Sequence, residues 1–202
     1  MKKDLDLVRI CSFLFFDGHI YKTHKCFYFS SNDLKMLEKM AEIVNKKFSL
    51  QGKLYINDGG VKKNTHKYRF FSKKICDYLI SVGVPVGAKT DQEFLIPKWI
   101  LNNREFAREF VKFAYYCEGS MKENRKTPRI TFNINKSERL VKNGVKFCNQ
   151  LRHILVKNNV VTTPVGIHAP KTRADGIAVN MIRFRVITKD NNNFINEIGW
   201  IK

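Results

Sequence analysis

The chain has 202 residues, 44% of them hydrophobic. That is enough apolar side chain for a sizeable core, and it excludes wholesale disorder. Lys and Arg number 37 against 18 Asp and Glu, a formal charge of +19, and a compact fold with that much self-repulsion calls for a polyanionic partner. Nucleic acid fits better than an anionic membrane surface, because the basic residues are spread along the chain rather than gathered on one amphipathic helix.

The first predicted element is an apolar helix through ICSFLFFDG at residues 10–18, which closes on Asp17 and Gly18. Lys2 and Lys3 precede it, yet the run is short and Asp17 ends it without a small-residue cleavage site, so a signal peptide is not expected. A β-like run over residues 26–30 leads through Ser31, Asn32 and Asp33 into a helix with Leu34, Leu37, Met40, Ala41 and Val44 at helical spacing. The strand-like YRFFSK of residues 68–73 follows, then the pairs Tyr78-Leu79 and Val82-Gly83. Residues 83–89 carry turn chemistry, and Pro97 is suited to the front of a helix, where its missing N–H is not needed. Residues 104–116 place Phe106, Phe110, Phe113 and Ala114 on one helical face.

The second apolar helix, VKFAYYCEG at residues 111–119, ends in Glu118 and Gly119 as the first ends in Asp17 and Gly18, 101 positions earlier. A β-like run over residues 129–134 and polar residues 135–137, read as helix caps, come next. FRVITK at residues 184–189, with Phe194-Ile195 and Ile198-Gly199, then repeats the spacing of residues 68–83 at an offset of 116. The fifteen extra residues suit a longer loop around residues 164–176. The chain thus reads as α+β, an α-β-β-α-β-β-α unit used twice. The divisions are residues 1–87, a linker at 88–104, and residues 105–202. The five cysteines (Cys11, Cys26, Cys76, Cys117 and Cys148) are odd in number and widely spaced, as buried reduced thiols are. No stretch reaches transmembrane length, and the expected location is intracellular, in cytoplasm or an organelle matrix.

A carboxylate at a helix C-terminus is disfavoured by roughly 0.3–1 kcal/mol, since the dipole is negative there. Two at matching points of a repeat imply compensation, which a divalent cation supplies, taking oxygen from carboxylates, phosphate and water. If the two apolar helices pack together, Asp17 and Glu118 converge on a pseudo-twofold axis, and such symmetry matches the two strands of duplex DNA. Solvated acids beside neighbouring lysines are the plainer reading. The following glycines are suited to a left-handed cap.

These motifs resemble the LAGLIDADG element of homing endonucleases, an apolar helix ending in an acid-glycine pair. Residues 83–89, then Ile96-Pro97, Trp99-Ile100 and the run from Phe110 to Ser120 resemble the linker of single-chain, two-repeat members, so the resemblance spans nearly the whole chain. It implies a monomer whose two repeats pack through the motif helices, with antiparallel sheets forming a saddle in the major groove. It also implies Mg²⁺-dependent hydrolysis of both strands at a long, near-palindromic site, with two or three divalent ions and with Mn²⁺ or Ca²⁺ able to substitute in binding. Asp17 and Glu118 match the family's two metal-binding acids, with Gly18 and Gly119 completing the metal site. Of the family's basic helper near the cleavage centre, Lys89, Lys122 and Lys136 are candidates; the ordinary reading of each is a phosphate contact or a solvated charge. The chain shows none of the flanking splicing segments of an intein, so a free-standing, intron-encoded enzyme is expected.

Alternation along the strands puts Arg69 on one face, Arg129, Thr131 and Asn133 together, and Arg183 with Arg185. Arg, Asn and Thr read base edges, and a β-ribbon fits the major groove. Lys73 and Lys189 stand at equivalent strand ends and suit phosphate positioning. The five histidines form no metal spacing and read as surface residues. A non-cleaving relative, acting as an RNA maturase or a DNA-binding regulator, is the alternative on the same fold. A basic structural or ribosome-associated protein would explain the charge but not the paired motifs.

Overall fold

The computed structural model describes residues 2–58, 64–122, 128–172 and 176–201, and its contacts divide the chain into two units, residues 1–88 and 89–202. In the first, the apolar run is helix α1 (Leu5–Phe15), started by Asp4, whose carboxylate accepts from the Leu7 N–H at 3.0 Å. Strands β1 (Gly18–Ile20) and β2 (Cys26–Ser31) come next, then helix α2 (Leu34–Phe48), strands β3 (Lys53–Tyr55) and β4 (His66–Phe71), and helix α3 (Lys73–Ser81). Asp33 caps α2 by accepting from the Met36 N–H at 3.1 Å, as its place before the helical pattern predicts. The strands form one antiparallel sheet in the order β1-β2-β4-β3. Its inner face carries Phe27, Phe29 and Phe70, all fully buried, with Phe27 and Phe70 stacked 4.9 Å apart.

The second unit runs through helices α4 (Lys98–Leu101) and α5 (Arg104–Glu118), strands β5 (Gly119–Lys122) and β6 (Arg129–Ser137), and helix α6 (Val141–Lys157). Strands β7 (Gly166–Ile167), β8 (Lys171–Thr172) and β9 (Ala178–Arg185) and helix α7 (Asn191–Glu197) complete it. Its antiparallel sheet has the order β5-β6-β9-β7, with β8 also paired to β9. The α-β-β-α-β-β-α order is therefore present in both units, with β7 in the place of β3 and the short strand β8 as the second unit's addition, in the stretch where a longer loop is expected. Tyr115, Phe132, Phe184 and Phe194 are fully or almost fully buried here, and the Tyr115 ring lies 4.6 Å from Phe194. Burial of each such ring contributes on the order of 1.5–3 kcal/mol. Among the described residues no helix is long and apolar enough to cross a membrane.

The strand registers reproduce the repeat residue by residue. Gly18 pairs with Phe29, which pairs with Tyr68; Gly119 pairs with Phe132, which pairs with Phe184. Two sequence expectations are corrected. Asn135 and Lys136 are not helix caps but part of β6, which runs to Ser137, three residues beyond the predicted stop at Ile134. Ser137 does stand at the N-cap of the short 3-10 helix Glu138–Leu140, though its side chain makes no capping hydrogen bond. Phe106 is half-buried against Trp99, at 5.9 Å, rather than in the core.

The motif glycines also differ from expectation, because neither Gly18 nor Gly119 has a positive φ. Gly119 is extended, at φ −81° and ψ 154°, and starts β5. What requires glycine is space. A Cβ on Gly119 would meet the Tyr115 carbonyl oxygen at 2.3 Å and its Cα at 2.8 Å. One on Gly18 would meet Leu14 Cα and the Tyr28 carbonyl oxygen at 2.9 Å. In both units the chain leaves its helix straight into a strand that passes against the residue four positions back. Alanine at either glycine should therefore destabilise the fold by about 1–3 kcal/mol, with Gly119→Ala worse than Gly18→Ala because its closest obstacle is backbone. Chemical denaturation midpoints of the two variants check this ordering.

Candidate metal centre and nucleic-acid face

Each candidate metal-binding acid stands at one of these helix-to-strand hinges. Glu118 is the last residue of α5, whereas Asp17 lies just past α1, between the cap residue Phe16 and the first residue of β1. The Asp17 carbonyl is fixed by the Ser30 N–H at 2.7 Å, so its position follows from the first hairpin. Both acids are half-buried. Among the described residues no three His, Cys, Asp or Glu side chains form a metal-binding group. Each hinge offers a carboxylate beside a glycine, and carboxylate oxygen suits a hard cation that is also held by water and phosphate oxygens.

The exposed face of the second sheet carries most of the predicted base readers. Arg129, Arg183 and Arg185 are exposed and Asn133 is half-buried. Arg183 pairs with Asn133, and Arg185 with Thr131. Thr131 is corrected: it sits on the central strand between Ser120 and Arg185, and its short side chain is buried, at 8% exposure. Lys189 is exposed in the turn after β9. Lys73 opens α3, where it pairs with Asp77 at 2.6 Å. That carboxylate also meets His24 at 3.2 Å, and the Lys73 hydrogen bond holds its carboxyl below the usual range.

The first sheet has a different surface. One cross-strand row runs His19, Tyr28, Arg69, Lys53, and the next holds Lys67 beside Tyr55. His19, read as an ordinary surface residue, is half-buried and stacks on Tyr28 at 5.4 Å. Arg69 lies over the Tyr55 ring, 4.4 Å from its centre, and is ion-paired to Asp58. Strand alternation contained the signal for Tyr28 and His19, which face the same way as Arg69 once the register is known. No sequence signal marked Asp58, which reaches Arg69 only through the chain's course after β3.

No protein-family model matches the chain. Two curated proteins are similar to it, both named tRNA-splicing ligase RtcB. The one from Pyrococcus abyssi (strain GE5 / Orsay) is 24% identical over 180 residues, covering 82% of this chain and 19% of that protein. The one from Methanocaldococcus jannaschii is 24% identical over 173 residues, covering 76% and 18%. The chain therefore spans about a fifth of the curated relatives it matches. Among solved structures, full-length DUF199/WhiA from Thermatoga maritima superposes with a TM-score of 0.58 at 14% identity, covering 100% of this chain and 58% of that one. The N-terminal LAGLIDADG domain of DUF199/WhiA gives 0.58 at 14% identity, covering 99% and 84%. The homing endonuclease I-WcaI bound to its DNA recognition sequence gives 0.58 at 13%, covering 98% and 82%. The architecture is thus that of LAGLIDADG domains, α+β with two antiparallel sheets.

The three lysines considered as a basic helper fall in different surroundings. Lys122 is exposed on β5, and Lys89 is half-buried. Lys136 is neither a solvated charge nor a surface phosphate contact. It follows Ile130, Phe132 and Ile134 on the core-facing side of β6 and is fully buried. Its ammonium donates to the carbonyls of Lys89 at 2.7 Å and Gln92 at 2.6 Å, and lies 3.6 Å from the centre of the Phe94 ring. It thereby ties residues 89–94, within the stretch read as linker, to the second sheet. Burial lowers its pKa from 10.5 to about 8, against the opposing pull of Asp91. Below about pH 8 the group is charged in folded and unfolded chains alike, and the full desolvation cost remains. Between about 8 and 10.5 the unfolded chain holds more protons, so stability should rise with pH across that window. Lys136→Met should remove this rise, and denaturation midpoints measured from pH 7 to 10 on both proteins test it.

Proposed function

We propose that this protein is a site-specific, metal-dependent endonuclease of double-stranded DNA, with Asp17 and Glu118 as its metal ligands. The observation that carries the reading is the duplicated hinge, in which an acid is held between an apolar helix and a strand by a glycine that tolerates no side chain. A solvated acid does not need that repeated placement, and it stands against the helix dipole in both copies. The net charge of +19, the exposed Arg183 and Arg185 on a β-sheet face, and a fold shared with an endonuclease solved on its DNA site support DNA as the substrate. The ligase activity named in the curated relatives is not carried over, since the chain corresponds to about a fifth of their length.

In this reading Mg²⁺ is the ion held, with Mn²⁺ or Ca²⁺ able to replace it in binding, and the active species is a monomer on a long, near-palindromic site. Asp17 and Glu118 would hold the divalent ion, which would supply a lowered pKa for an attacking water and charge neutralisation at the leaving oxygen. Asp17 and Glu118 supply the anionic ligands. Gly18 and Gly119 hold each acid at its hinge and keep bulk away from it. Arg129, Asn133, Arg183 and Arg185 read base edges, while Lys73 and Lys189 position the backbone.

Asp17→Asn or Glu118→Gln should lower cleavage by about a hundredfold or more while duplex binding stays within a few fold, because metal ligation and not phosphate contact is lost. A variant that cuts at the wild-type rate removes that acid from the site. Arg183→Ala or Arg185→Ala should weaken binding by about 1–3 kcal/mol and relax selection at one position if the contact is bidentate to a base. A binding-selection profile of the two variants shows whether the loss is positional or uniform over sequences. Selective, tight binding without cutting would instead place the protein among non-cleaving relatives.

A further inference from the structure

The two sheet faces differ most at one equivalent pair of arginines. Arg69 and Arg185 occupy the same place in the repeat, each next to the third residue of the glycine row, Tyr68 in one unit and Phe184 in the other. Arg185 is exposed and has no ion pair among the described residues. Arg69 is ion-paired to Asp58 and lies over Tyr55, with its side chain 25% exposed. The same Asp58 oxygen lies 3.8 Å from the Lys67 ammonium, which is 5.4 Å from the centre of the Tyr28 ring. One carboxylate thus engages two neighbouring cations of the first sheet's outer face, on a chain with a net charge of +19. A surface ion pair contributes little to stability, about 0–1 kcal/mol, so stability alone gives little reason for an acid here.

We propose that Asp58 is a charge filter. It occupies Arg69 and Lys67 in place of a nucleic-acid phosphate and so sets how far the first unit discriminates its target from other DNA. Non-specific binding rests on phosphate neutralisation and counterion release. With Asp58 in place, a duplex of arbitrary sequence gains nothing from these two cations unless it displaces the carboxylate. A matching sequence still meets the rings of His19, Tyr28 and Tyr55 and the buttressed edge of Arg69. Asp58 therefore lowers non-specific affinity more than specific affinity. The inference rests on duplex DNA being the ligand, as proposed above.

The test compares wild type, Asp58→Asn, Asp58→Glu and the triple variant Asp58→Asn/Lys67→Ala/Arg69→Ala. Each is titrated by fluorescence anisotropy with a 30-base-pair duplex of random sequence, from about 50 to 200 mM salt, and with a duplex enriched by selection on the wild type. Asp58→Asn should bind random duplex about tenfold more tightly at the lower salt, with the slope of log K against log salt steeper by about 0.9 for each freed cation. Its preference for the selected duplex should fall by a similar factor. Asp58→Glu should resemble wild type, and the triple variant should lose the gain. An unchanged slope in Asp58→Asn overturns the filter while leaving DNA as the ligand, and so does a gain that survives in the triple variant. If neither wild type nor Asp58→Asn binds duplex, the proposed function fails and the filter with it.

Discussion

The end of α1 and the end of α5 are each set by a contact that leaves no room for a side chain. At Gly119 the chain passes so near its own last helical turn that a Cβ would lie 2.3 Å from the Tyr115 carbonyl oxygen. At Gly18 the obstacles are Leu14 and the Tyr28 carbonyl. That approach lets each helix turn directly into the first strand of its sheet, so helix, hairpin and acid form one rigid corner. The rows Gly18–Phe29–Tyr68 and Gly119–Phe132–Phe184 then carry the placement of the corner across the sheet to the strand that bears Arg69 or Arg185. A candidate metal ligand and a candidate base reader are in this way linked by backbone hydrogen bonds within one unit.

Much of this was legible in the sequence because the signals were periodic. Helical spacing found α2 and α5, alternation found β4, β6 and β9, and the two offsets of 101 and 116 found the duplicated unit. The failures share a physical cause, which is that a residue's role depended on a distant partner. Lys136 reads as a polar cap next to Ser137 until β6 is seen to continue, when alternation from Ile134 turns it inward onto the carbonyls of Lys89 and Gln92. Thr131 has the right parity for a groove reader but lies on a central strand between Ser120 and Arg185. The motif glycines suggest a left-handed cap by type, whereas the demand on them is proximity, a tertiary quantity.

The two units share topology but not surface chemistry. In the second, Arg183 and Arg185 are exposed beside Asn133, as direct hydrogen-bond readers would be. In the first, aromatic rings flank cations already engaged by Asp58. On the proposed reading, a chain with a net charge of +19 would bind polyanions whatever their sequence, and selectivity would depend on holding some of that charge back. The pairing of Arg69 with Asp58 would do so.

Cleavage of a randomised duplex library by the wild-type protein, with Mg²⁺ and with EDTA, separates an endonuclease from a protein that only binds duplex. An endonuclease should give double-strand cuts at one long, near-palindromic site, present with the metal and absent with the chelator. Duplex capture without any metal-dependent cut would contradict it, leaving the paired acid-glycine corners with a role in the fold but none in catalysis.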